Sequence, residues 1–109
     1  MIIVRTCMTV LPEKQKEVLQ TLLLLLHPPR KEQGCVSYDI FTDIENKNVF
    51  NLISQWDTRR HLDRHLQTDR FSVLLGTKCL LSEPLRIHIA TLSGSEGMEA
   101  VSAARKRGA

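Results

Sequence analysis

Glycine occurs only five times in the 109 residues, never at the spacing of a loop that cradles phosphate, so no nucleotide cofactor is expected. Cysteine occurs three times, at Cys7, Cys35 and Cys79, an odd number with no C-x-x-C pair. That pattern excludes a disulfide framework and a zinc ribbon and suits a reducing cytosol. The longest unbroken apolar run, Leu22 to Leu26, falls far short of the roughly 20 residues that a membrane span needs. The first residues show no basic region and no small-residue cleavage site, so no signal peptide is expected. Charge of neither sign dominates: 15 Lys and Arg against 12 Asp and Glu leave +3, too little and too scattered for a nucleic-acid binder. The expectation is a soluble, cytoplasmic protein with neither nucleic acid nor membrane as a partner.

At 42% hydrophobic, the chain has apolar material for one compact core and no room for a second domain. Residues 2–10 alternate and are β-branched, which predicts a strand. Pro12, with Glu13 and Glu17 behind it, predicts a helix over 12–27 that Pro28 and Pro29 stop. Its leucines cover more than one stripe, so it faces both a sheet and a further neighbour. Strands are predicted over 34–42 and 49–56, joined as an antiparallel hairpin through the turn-forming run Asp43 to Asn48. Val36, Tyr38 and Ile40 share one face of the first of these. A helix capped by Asp57 or Thr58 runs to about residue 67, with Leu62, Leu66 and His65 inward. A helical segment over 71–81 and a strand over 85–92 complete the order β-α-β-β-α-β. This is the α+β, ferredoxin-like class: a four-stranded antiparallel sheet with helices on one face. The domain is expected over 1–92, and 93–109 reads as a tail with helix tendency from Met98 to Arg105. The uncovered face of such a sheet is apolar enough here to predict a homodimer through it.

Four stretches then fall in order: Gly34-Cys-Val-Ser-Tyr38, Asn48-Val-Phe-Asn-Leu-Ile-Ser-Gln-Trp56, His61-Leu-Asp-Arg-His65-Leu and Asp69-Arg-Phe71. Together they resemble the antibiotic biosynthesis monooxygenase (ABM) domain over about residues 2–92. The resemblance implies a dimeric α+β barrel. It also implies a possible oxidation of phenols, hydroquinones or polycyclic anthrones by O2 without flavin, haem or metal. Relatives degrade haem, isomerise or simply bind small molecules, so fold resemblance does not choose the reaction. Many members carry a glutamate one or two places before the tryptophan, where this chain has Gln55 and Ser54.

Oxygenation without a cofactor needs a substrate whose own anion reduces O2, and so a base beside a dry, shaped pocket. His65 is the candidate base, since imidazole titrates near neutral pH and the helix turns it inward. The competing structural role is a buried histidine bonded to a carbonyl or to Asp69. Trp56 stacks on an aromatic substrate or plugs the sheet end. Tyr38 offers a hydroxyl to a phenolate or is a core tyrosine. Leu52, Ser54 and Phe71 are expected to line the same pocket, while Asn51 points to the partner sheet. Asp57, His61, His65 and Asp69 recur every four residues, which reads as i,i+4 Asp and His pairs rather than a metal site, so no metal is expected. Arg59, Arg60 and Arg64 lie outward, where they could draw an anionic substrate. Cys35 and Cys79 read as small buried hydrophobes.

The expected function is a cofactor-independent monooxygenase acting on a small aromatic molecule and O2, with no cofactor. Two alternatives stand beside it: a non-catalytic dimeric binding or stress-response module, and a haem-degrading monooxygenase.

Overall fold

The computed structural model describes residues 1–108. Four strands, β1 (Ile2–Thr9), β2 (Cys35–Thr42), β3 (Val49–Trp56) and β4 (Arg86–Thr91), form one antiparallel sheet in the order β2-β3-β1-β4. In the β1–β3 register, Ile2 lies opposite Trp56 and Met8 opposite Phe50. Strand period then places Ile2, Val4, Thr6 and Met8 on the same face as Phe50, Leu52, Ser54 and Trp56, and all eight are buried. Helices α1 (Gln15–Leu24), α3 (Arg59–Leu66) and α4 (Asp69–Leu75) cover that face through Val18 and Leu22, Leu62 and His65, and Phe71 and Leu74. Each fully buried large side chain contributes about 2–3 kcal/mol by transfer from water.

The helix expected over 12–27 is interrupted. It opens with a 3-10 turn, Pro12–Lys14, continues as α1, and breaks at Leu25 before the short α2 (His27–Arg30). Pro28 and Pro29 therefore do not stop a helix but sit in the first turn of a new one, where the missing amide hydrogens would have had no partner. Thr58 caps α3 by accepting from the His61 amide, and Thr68 caps α4 by accepting from that of Phe71, so α4 starts two residues before its expected position. A 3-10 turn, Gly76–Leu80, carries the chain to β4 and leaves Cys79 exposed, not buried as expected.

A register shift between Cys35 and Ser37 is the other departure. Two residues of β2 then oppose one of β3, and Val36 is pushed outward while Tyr38 stays buried. Helix α5 (Met98–Arg107) follows β4 and has no buried residue. With the chain measuring 50 × 34 × 21 Å, its outline is drawn out rather than round. The second sheet face carries Ile3, Cys7, Phe41 and Ile53 among Arg5, Asn51 and His88, with Phe41 half exposed. Among the described residues no helix is long and apolar enough to cross a membrane.

Candidate functional site

The turn between α2 and β2 builds one wall of the site. Arg30 anchors it to the sheet edge: Nε donates to the Tyr38 carbonyl at 2.9 Å and Nη2 to Asp39 Oδ1 at 3.0 Å. The Glu32 amide donates to the Pro29 carbonyl, and the Cys35 amide to that of Glu32. Gly34 turns the chain with φ of +81°, a backbone state costly for any residue with a Cβ, and its carbonyl accepts from the Asp57 amide at 2.8 Å. These bonds hold Glu32 beneath α3, where sequence reasoning had not placed it.

Glu32 meets His65 there. His65 Nδ1 lies 2.9 Å from Glu32 Oε2, and the imidazole is only 4% exposed. A carboxylate accepts, so the ring donates its Nδ1 hydrogen and Nε2 keeps the free lone pair. Three aromatic rings enclose the imidazole: Trp56 stacked on it at 4.6 Å, and Tyr38 and Phe71 edge-on at 5.7 and 5.6 Å. The Trp56 indole N–H donates to Ser54 Oγ at 3.0 Å, which leaves no polar group of the indole orphaned. Leu52 lies two residues along the same face of β3 and belongs to the same core.

Of the residues expected to form the site, Tyr38, Trp56 and Phe71 each pack against the His65 imidazole, with Ser54 behind the indole; all are buried in the core rather than lining an open pocket. The i,i+4 Asp and His pairs expected along α3 do not form. His65 bonds Glu32 instead of Asp69, and His61 Nδ1 sits 2.8 Å from Thr58 Oγ1, because the helix cap and the α2–β2 turn offer closer acceptors. Burial, then the Glu32 and Cys35 charges, push the Tyr38 phenol up to about 12 against a lowering pull from Arg70. Tyr38 is therefore a neutral hydroxyl at physiological pH, suited to donate rather than to abstract. Burial and the Glu32 charge also push up the Cys35 thiol, the opposite of what a nucleophile needs.

Glu32 is the hinge between this enclosed cluster and the surface. It lines an open surface depression of about 380 Å³ together with His27, Pro28, Lys31 and Arg70. A larger depression of about 500 Å³, lined by Arg5, Cys7, Asn51 and His88 among others, lies on the opposite sheet face, away from His65. Two residues escaped sequence reasoning, Glu32 and Arg70. Arg70 is part of the Asp-Arg-Phe stretch, but nothing in a single sequence marks Glu32, whose contact spans 33 positions.

Known proteins share this fold and family pattern. A family model for antibiotic biosynthesis monooxygenase matches residues 1–74, a span that contains Glu32, Tyr38, Trp56, His65 and Phe71. The Bacillus subtilis protein YcnE, whose name carries a provisional monooxygenase assignment, is 31% identical over 94 residues, 85% of this chain and 99% of its own length. A Synechocystis protein is 30% identical over 96 residues, 87% of this chain, and the chain spans 65% of that protein's length. A Deinococcus radiodurans structure superposes with a TM-score of 0.82 at 20% identity, over 89% of this chain and 97% of its own, a likeness of fold alone. With the family pattern running from β1 through α4 and a relative aligned along nearly its whole length, this chain belongs to the antibiotic biosynthesis monooxygenase family.

Proposed function

We propose that the protein is a cofactor-independent monooxygenase that oxidises a quinol-like or polycyclic phenolic substrate with O2. The observation that carries this reading is the 2.9 Å contact between a buried imidazole and Glu32, set inside a ring of aromatic side chains. Glu32 orients the ring and stabilises its protonated form, the part a carboxylate plays in other His-carboxylate pairs, and so replaces the acid that Ser54 and Gln55 do not supply.

For an anthrone-like substrate, whose CH2 lies between two aryl rings conjugated to a carbonyl, His65 Nε2 takes one carbon-bound proton and leaves an extended enolate. The enolate passes one electron to O2, and the radical and superoxide so formed combine at carbon, making a C–O bond. The peroxide regains the proton, and its O–O bond then breaks. One oxygen stays as a new carbonyl; the other leaves as water with the second carbon-bound hydrogen. Trp56 and Phe71 supply apolar walls that keep the anion dry, and Tyr38 supplies a neutral hydroxyl for the developing oxyanion.

Oxygen consumption by metal-stripped protein given anthrone and a panel of hydroquinones is the direct test. The expected result is uptake that depends on native protein and exceeds autoxidation with boiled protein. Uptake no faster than that control across the panel would count against the oxygenase. If the same aromatics nonetheless bind tightly, the non-catalytic binding module becomes the better reading.

Residues 1–92 are the working unit in this proposal, 93–109 an appendage to it, and the three free thiols suit a cytoplasmic setting. A second copy covers the sheet face that carries Ile3, Cys7, Phe41 and Ile53, since a half-exposed phenylalanine beside three apolar neighbours is costly in water. Light scattering at micromolar concentration is expected to give twice the 12.4 kDa chain mass; a monomer mass would sink this interface.

A further inference from the structure

The depression beside Glu32 carries more basic charge than the site's chemistry uses. His27, Lys31 and Arg70 surround it, with Glu32 the one carboxylate in its wall. Arg70 is poorly partnered. Its Nη2 lies 3.6 Å from Glu32 Oε2, beyond hydrogen-bond length, and its Nε is buried without an acceptor. A guanidinium presents a planar fork of donors that matches a carboxylate, and a buried donor left unmatched is costly. A modest swing of the Arg70 head onto a bound carboxylate would remove that cost.

Arg70 and His65 touch the same oxygen, Glu32 Oε2, at 3.6 and 2.9 Å. A carboxylate held on Arg70 therefore lies on the Nδ1 side of the imidazole, next to the Glu32 carboxylate. Phe71, the next residue along α4, packs against that imidazole. The recognition group and the wall of the reaction site are thus carried by consecutive residues of one helix.

We infer that this open depression is a carboxylate-binding subsite in which Arg70, aided by Lys31, holds the acidic substituent of an aromatic substrate. The word substrate rests on the oxygenase reading; the anion site itself does not. Lys31 is exposed and adds long-range attraction, whereas Arg70 sets the geometry. An uncharged ring lacks this anchor, so the site prefers an aromatic acid over its amide.

Calorimetric titration with 2-naphthoate and 2-naphthamide tests this without requiring turnover. The wild-type protein is expected to bind the acid at least about tenfold more tightly than the amide, a preference that added salt weakens. R70Q is expected to abolish the preference, and K31Q, at a surface position, to reduce it by a smaller factor. Equal binding of acid and amide by the wild type, no binding of the acid at millimolar concentration, or an unchanged preference in folded R70Q would each overturn the inference. Should R70Q fail to fold, the ¹⁵N shift of Arg70 Nε in the wild type decides, since it moves on adding the acid only if the guanidinium engages it. Oxygen uptake with neutral anthrone is read separately, so loss of the oxygenase reading and loss of the subsite are distinct results.

Discussion

Turnover falls by about 10² to 10⁴ when His65 is replaced by alanine, the range expected for losing a positioned general base. The same change removes the ring against which Trp56 stacks and leaves a void between Trp56, Tyr38 and Phe71, so about 2–4 kcal/mol of stability goes with it. Loss of activity in His65→Ala alone therefore does not separate chemistry from folding. Glu32→Gln does, because the amide keeps the shape and the hydrogen bond while removing the charge that steadies a protonated imidazole. We expect Glu32→Gln to fold like the parent, with kcat reduced by about tenfold to a hundredfold and KM changed far less. Stopped assays of O2 consumption at a temperature where all three proteins are folded make the comparison. If His65→Ala turns over a confirmed substrate at the parental rate, the pair is not the base.

Gly34→Ala is expected to be the most damaging of the glycine-to-alanine changes, at about 3 kcal/mol or more. Two independent causes contribute. At φ of +81° an L side chain is strained whatever the space around it. A Cβ built at this position also overlaps the His61 imidazole. For a domain of this size the loss corresponds to a fall in Tm of about 12 to 24 °C. The two causes can be separated in a His61→Gly background, where both the ring and the Cβ that overlap are gone and only the backbone strain, about 1–2 kcal/mol, remains. An equal penalty in both backgrounds, by chemical denaturation, would show that the His61 contact contributes nothing. Because Gly34 follows Glu32 by two residues, the variant should also disturb the Glu32–His65 pair and lower activity beyond its loss of stability.

Much of this frame was readable in the sequence for reasons of period. The alternation in β1 and β3 named the inward residues, and the span 49–56 coincides with β3. Asp57 or Thr58 announced the helix that Thr58 caps, and the spacing of Leu62, His65 and Leu66 turned the imidazole inward. The errors arose where local rules compete. A proline pair is compatible with both the end of one helix and the first turn of the next, and the break at Leu25 decides between them. A strand read by strict alternation groups Val36 with Tyr38, and the bulge separates them. Cys79 among leucines looked buried, but the 3-10 turn directs it outward. At the site, the aromatic members and His65 were visible through their positions on regular elements. Glu32 was not, because it lies in an aperiodic turn and its role comes from a contact made by the whole fold.

One side chain of the site is also its own optical instrument. The chain has a single tryptophan, so every photon of indole emission comes from Trp56. That indole is wholly buried and stacked on His65 at 4.6 Å. Whatever displaces the imidazole from that stack changes the surroundings of the one emitting ring. Events at the candidate site can therefore be followed in the unmodified chain by light alone, before any substrate is known.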